Sequence, residues 1–208
     1  MKIGIIGAGN IGATAARLFA GAGHEVALSN SRGPRTLAPL VEEIGPGARA
    51  ATIEEAAEFG DVVLEAIPFK DYDTLPAGTL AGKIFVDASN YYEGRDGRMD
   101  FDGLTSSELV ARHLPGSRLV KAFNTMYYQT LATEGRPEAP AEERLVLFVA
   151  GDDEEAKATV SELIEEIGFS PVDTGSLGEG GRKQEPGSPI YNRPMTPGEA
   201  SEILDGLV

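Results

Sequence analysis

The chain has 208 residues, 41 % of them hydrophobic, with 18 Lys and Arg against 33 Asp and Glu, for a formal net charge of −15. That length buries a sizeable core without disulfides or metals, and the composition excludes disorder of the whole chain. The negative field repels nucleic acid and anionic membranes, so neither is an expected partner, and an anionic ligand needs a local basic pocket.

Cysteine is absent, which removes disulfides, thiolate nucleophiles and cysteine metal sites. The two histidines, His24 and His113, stand far apart and offer little for a metal site. The N-terminus lacks a long apolar region and a cleavage signal, and no run of about 18 apolar residues could span a bilayer. A cytoplasmic protein is expected.

In chain order, short β-branched runs alternate with amphipathic stretches, as in parallel βαβ units. The first strand, Lys2–Ile6, leads into Gly7-Ala8-Gly9-Asn10-Ile11-Gly12 and then a helix with an apolar stripe at Ile11, Ala15, Leu18, Phe19 and Ala22. Gly23 follows as its C-terminal cap. A glycine pattern between strand and helix is the dinucleotide fingerprint. Gly7 makes the tight turn, Gly9 admits the pyrophosphate, and Gly12 lets helix and strand pack closely. The helix N-terminus supplies free N–H groups and a positive dipole end for the phosphates.

The second strand, Glu25–Ser29, ends in Ser29-Asn30-Ser31-Arg32-Gly33-Pro34-Arg35. A site for NAD would carry an acid there for the ribose hydroxyls. None stands there. Hydroxyls and a guanidinium suit a 2′-phosphate instead, with Ser31 and Arg32 as its holders and Arg35 as a second cation, so NADP is favoured over NAD.

A short strand near Arg49–Thr52 is followed by strands at Asp61–Ile67, Lys83–Asp87 and Arg118–Ala122. Ligands of open α/β sheets lie beyond the carboxyl ends of such strands. Ala66, Ile67, Pro68 and Phe69 are therefore candidates, with Pro68 and Phe69 as a nonpolar wall for the nicotinamide. Asn90 or Asn124 is placed to bond its carboxamide. Tyr91–Gly103 reads as a polar loop, and Thr105 with Glu108 as a capping box that starts a helix. His24 is expected to pack or cap, and His113 to sit at a helix end.

Strands follow at Leu145–Ala150 and Pro171–Asp173, separated by a helix with Asp152 as N-cap and Gly168 as its close. Gly178–Gly198 holds five glycines and four prolines and is expected to lack regular structure before a last helix capped by Thr196 and Glu199. No pair of carboxylates stands out from the acidic faces, and no catalytic residue is identified.

The fold expected is α/β: a Rossmann-type, doubly wound, mostly parallel sheet with a short C-terminal extension. Its parts are an NADP-binding Rossmann domain over 1–177 and a loop-and-helix extension over 178–208.

The segments GAGNIG, SNSRGP, AIPF, DASN and KAFNT, with the late run GDDEEAKATVSELIEEIGFSPVDTGSL, resemble the deazaflavin (coenzyme F-420)-dependent NADP oxidoreductase family over residues 1–177. The resemblance implies hydride transfer between NADP(H) and a deazaflavin held face to face with the nicotinamide, and a homodimer. It also places Ser31 and Arg32 at the 2′-phosphate. Two alternatives stay open beside it. One is reduction of another small-molecule acceptor, such as a flavin, quinone, imine or ketone. The other is an NADP(H)-binding sensor without turnover.

Overall fold

A computed structural model describes residues 1–207. Eight strands form one sheet: β1 (Lys2–Ile6), β2 (Glu25–Ser29), β3 (Ala48–Ala50), β4 (Val62–Glu65), β5 (Ile84–Asp87), β6 (Arg118–Ala122), β7 (Val146–Gly151) and β8 (Ser170–Asp173). Their order is β3-β2-β1-β4-β5-β6-β7-β8. Every neighbouring pair is parallel except β6 with β7. The chain leaves β1 toward β2 and β3, then returns to β4 on the other side. That reversal between β1 and β4 opens a crevice at their carboxyl ends.

The helices are α1 (Asn10–Gly21), α2 (Ala38–Ile44), α3 (Ile53–Phe59), α4 (Ala77–Leu80), α5 (Glu93–Asp96), α6 (Ser106–His113), α7 (Tyr128–Thr133), α8 (Glu154–Glu166), α9 (Glu179–Lys183) and α10 (Pro197–Asp205). Reciprocal capping boxes at Thr52 with Glu55, Thr105 with Glu108, and Thr196 with Glu199 start α3, α6 and α10. No helix among the described residues is long and apolar enough to cross a membrane.

Strand alternation divides the core into two faces. Ile3, Ile5, Leu64, Val86, Val120 and Ala122 pack with Phe19 of α1 and Val160 and Ile164 of α8. Ile6, Val63, Phe85 and Leu119 face the other way, toward Ala57 of α3 and Val110 of α6. A third cluster joins Val146 and Phe148 of β7 to Ile190, Met195 and Ala200 of the C-terminal segment. The carbonyl of Met195 accepts from Val146 N at 2.9 Å, and that of Thr125 accepts from Asn192 N at the same distance.

Several local expectations change. The strand expected over Asp61–Ile67 stops at Glu65, because Pro68 has no N–H to donate and starts a 3₁₀ turn. The third strand ends at Ala50, because Thr52 is used as the cap of α3. Asp153, not Asp152, caps α8 by accepting from Ala156 N at 2.9 Å, while Asp152 accepts from Leu177 N. In α1 the buried face is Gly12, Thr14, Ala15, Ala16 and Phe19, with Ile11 and Leu18 only half-buried and Ala22 exposed. Small residues face the sheet there because the helix lies close to it. The glycine-rich segment holds one regular element, α9, where none was expected.

His24 is buried; its Nε2 lies 2.7 Å from Glu166, and its ring meets Phe19 edge-on. His113 Nε2 lies 3.0 Å from the Leu75 carbonyl at the end of α6. Both have structural partners.

Ile190 is fully buried against β7, so residues far beyond the last strand share a core cluster with the sheet. Ile190→Ala should lower unfolding free energy by about 2–5 kcal/mol. Urea denaturation checks this, and an unchanged midpoint would separate the segment from the core.

Candidate active site

The turn after β1 builds the floor of the crevice. Gly7 has φ 106° and donates its N–H to the Ser29 carbonyl at 3.1 Å. That region of backbone space favours glycine. A Cβ at Gly12 would lie 1.8 Å from the Gly7 carbonyl oxygen, so helix and turn touch backbone to backbone. Gly9 is the N-cap of α1 without a side-chain cap, and a Cβ there would meet nothing within 4 Å. The first N–H groups of α1 thus face open space, as an anion site requires.

Two cavities meet over this turn. The outer one, about 700 Å³, is lined by Gly7, Gly9, Asn30, Ser31, Arg32 and Ile53 among others. The inner one, about 550 Å³, is lined by Asn10, Ile11, Ser89, Asn90, Phe123, Asn124 and four tyrosines. Gly9, Ala66, Ile67 and Pro68 line both, so they form one cleft along the switch point. A larger cleft of about 780 Å³ beside α6 and α9 mixes Glu108, Asp152 and Glu179 with Arg182 and Lys183. It shares no lining residue with this site.

Most residues singled out in the sequence line the cleft; Gly12, buried where α1 meets the turn, and three others do not. Ser29 is buried, and its hydroxyl donates to the Ile5 carbonyl at 2.9 Å, so it ties β2 to β1. Phe69 is fully buried on the far face, stacked on Tyr72 and Phe101, so Ile67 and Pro68 form the nonpolar wall without it. Arg35 is exposed on the 3₁₀ turn Pro34–Leu37 and lies outside the lining of the outer cavity. Asn30 organises that turn: its Oδ1 accepts from Arg32 N at 3.0 Å and its Nδ2 donates to Thr36 at 2.9 Å. Ser31 and Arg32 remain exposed at the cleft.

In the inner pocket the backbone turns at Phe123, which is buried with φ 66°. A bulky residue held in the left-handed region marks local strain, of the kind that collects at functional sites. Asn124 follows, 4 % exposed. Its Nδ2 donates to Asn90 Oδ1 at 3.1 Å and to the Gln184 carbonyl at 2.9 Å, while its Oδ1 has no partner. An unpartnered buried acceptor in a pocket wall calls for a donor from a ligand.

Tyr191, carried by the C-terminal segment, bonds Tyr92 hydroxyl to hydroxyl, and Asn90 Nδ2 donates to it at 3.4 Å. Burial and then the contact with Tyr92 push the Tyr191 phenol above its ordinary value, so it keeps its proton. The Arg95 guanidinium lies 5.1 Å over the Tyr92 ring.

Beneath the pocket lies a buried polar row. Glu65, Asp87 and Lys121 are Cα partners across β4, β5 and β6, on the face of Val63, Phe85 and Leu119. All three are buried. Asp87 Oδ1 accepts from Ser89 Oγ at 2.6 Å, and Oδ2 from Ser107 Oγ at 2.5 Å. Lys121 Nζ lies 3.7 Å from Asp87 Oδ2 and donates to Ser107 at 2.8 Å. Burial, then the charge of Asp87 and its hydrogen bond, raise Glu65 well above the carboxylate range. Burial also opposes ionisation of Asp87, but Lys121 and the bonds from Glu65, Ser107 and Ser89 outweigh it and lower its value. The row had a signal: VVLE, IFVD and RLVK each place a charged residue at the end of an apolar run.

A doubly wound parallel sheet with a glycine turn, an uncapped helix start and a cleft at the switch point defines a dinucleotide-binding protein. Residues 2–91 match the family described as NADP oxidoreductase, coenzyme F420-dependent. A hypothetical protein from Sinorhizobium meliloti superposes with TM-score 0.84 at 33 % identity, over 94 % of this chain and 95 % of that one. A protein from Arthrobacter sp. FB24, provisionally assigned as an F420-dependent NADP reductase, follows at TM-score 0.71 and 28 % identity, over 85 % and 86 %. Metalloreductase STEAP3 of Rattus norvegicus is 34 % identical over 178 residues, which are 85 % of this chain and 34 % of that protein. The chain thus spans about a third of the length of the curated relatives it matches. Over residues 2–91 the chain is thus similar to the coenzyme F420-dependent NADP oxidoreductase family.

Because a Cβ at Gly12 would strike the Gly7 carbonyl, Gly12→Ala should destabilise the fold by about 1–3 kcal/mol as the helix is pushed off the turn. Thermal or urea unfolding without any ligand measures this, and wild-type stability would contradict the close approach.

Proposed function

We propose that this chain binds NADP(H) along the cleft and transfers hydride between it and a planar deazaflavin (coenzyme F-420)-like acceptor. The observation that carries the reading is the continuity of the cleft over the glycine turn, with Ser31 and Arg32 at one end and the Asn90, Asn124 and tyrosine pocket at the other. The residues fit the cofactor: Gly9 leaves room for a pyrophosphate at the start of α1, and Arg32 offers the cation that a 2′-phosphate needs within a chain of net charge −15. When bound, NADPH supplies the hydride.

The chain's own groups orient and shield. Ile67 and Pro68 wall the cleft with apolar surface and limit water. Asn124 Oδ1 accepts from the carboxamide, and Asn90 holds Asn124 in place. Tyr92, Tyr127, Tyr128 and Tyr191 give flat walls for a planar ring, and Arg95, paired with Asp96 at 2.8 Å, braces the Tyr92 ring. Hydride transfer depends on such positioning. A flavin would meet the same walls, so it is the second acceptor to test.

NADPH should bind much more tightly than NADH. Arg32→Ala should weaken NADPH by about 1.5–3 kcal/mol, the range for a charge-assisted bond, and leave NADH nearly unchanged. Calorimetric titration reads both, and equal affinity of the wild type for the two cofactors would overturn the phosphate assignment.

Gly9→Val fills open space, so it should keep the fold and abolish NADPH binding. Circular dichroism and the same titration test this; normal binding would make the glycine turn purely structural. Turnover itself is read as loss of NADPH absorbance on adding a deazaflavin or a flavin, and its absence with every acceptor would leave only a binding module.

A further inference from the structure

Hydride reduction of a ring acceptor consumes a proton as well as a hydride. The polar row beneath the pocket is not used by the binding reading, and its charges do not balance. Two carboxyl groups and one ammonium are fully buried together. Burying an unpaired charge is costly, so one proton must sit on the carboxyl pair.

The contacts say where. Asp87 is fully supplied: it accepts from Ser89 N, Ser89 Oγ and Ser107 Oγ and faces Lys121. Glu65 accepts from Ile67 N with Oε2, while Oε1 finds no donor. A protonated Oε1 that donates to Asp87 satisfies that atom. The groups beside Glu65 are Ile6 of β1, Asp87 of β5, the Ile67 N–H and Ser89; Asp87 is the charged one, and Lys121 and Ser107 lie on the far side of Asp87. Burial and the neighbouring Asp87 charge both favour the protonated form. From Asp87 the path continues through the Ser89 hydroxyl at 2.6 Å, and Ser89 lines the inner pocket.

We propose that Glu65 stores the proton for reduction of the acceptor and passes it through Asp87 and Ser89 into the pocket. The inference rests on the hydride-transfer reading above. As the acceptor gains its hydride, the Ser89 O–H breaks and a new N–H forms on the acceptor ring. Asp87, a carboxylate at rest, receives a proton as the Glu65 O–H breaks with its electron pair left on the Glu65 carboxylate, and the new Asp87 O–H breaks in turn to return a proton to Ser89. The row changes from neutral to a net charge of −1 as the nicotinamide becomes cationic, so each charge offsets the other. Solvent then reprotonates Glu65. Glu65 is a positioning residue that acts through Ser89.

Infrared spectroscopy and steady-state kinetics on Glu65→Gln and Ser89→Ala test this, with deazariboflavin as the acceptor. Gln keeps the size and the neutral, donating end of a protonated Glu. Wild type should show the carbonyl stretch of a buried protonated carboxyl at neutral pH, and Glu65→Gln should lose it. Both variants should bind NADPH normally while kcat falls by about 10²–10⁴-fold. The wild-type fall of kcat at high pH, as Glu65 loses its proton, should vanish in Glu65→Gln. Absence of the band overturns the proposal, as does wild-type kcat and pH profile in either variant. Wild type that oxidises no NADPH with any acceptor overturns the hydride-transfer reading, and the relay with it. Should Glu65→Gln not fold, Ser89→Ala decides, because it keeps the carboxyl pair and cuts the path.

Discussion

The contact between the backbone of Gly7 and that of Gly12 sets the geometry on which the site depends. With no side chain between them, α1 starts directly over the end of β1, and its unpaired N–H groups face the crevice. Ala66 also lies close on the other side: a Cβ at Gly7 would stand 2.6 Å from its carbonyl. The β1 turn and the β4 end are thus locked together at the one place where the sheet reverses its order. The outer and inner cavities open on either side of that junction and share its residues.

Charge is distributed to suit this arrangement. The surface is strongly acidic, yet the cleft holds Arg32 at its outer end, while Arg95 at its inner end is paired with Asp96. Beneath the floor, Lys121 offsets Asp87 in full burial, and Glu65 beside them is kept neutral by the same low-dielectric surroundings. A buried ion pair contributes little net stability compared with apolar packing. Its retention at three strand ends directly below a ligand cleft points to chemistry more than to folding.

The C-terminal segment connects the two themes. Ile190 and Met195 anchor it in the core beside β7, the Gln184 carbonyl holds Asn124, and Tyr191 joins Tyr92 at the mouth of the inner pocket. The pocket's shape is therefore coupled to packing more than 60 residues away in sequence, between Asn124 and the chain's end.

Local rules were enough to read much of this protein. The alternation of apolar runs and helical stripes determined seven of the strands to within about two residues, because strand and helix periods differ and glycine, proline and capping residues punctuate them. The glycine turn was legible for the same reason: its geometry depends on backbone freedom at neighbouring positions. What tertiary structure alone decided is how distant residues meet. Register aligned Glu65, Asp87 and Lys121, which are 22 and 34 residues apart in the chain, and burial turned three ordinary charges into one coupled group. Packing committed the Ser29 hydroxyl and the Phe69 ring to the interior and brought Tyr191 to a pocket formed by the other end of the chain. Spacing along a sequence carries periodicity and local chemistry; it does not carry the solvent exclusion and cross-strand distances that set how those groups behave.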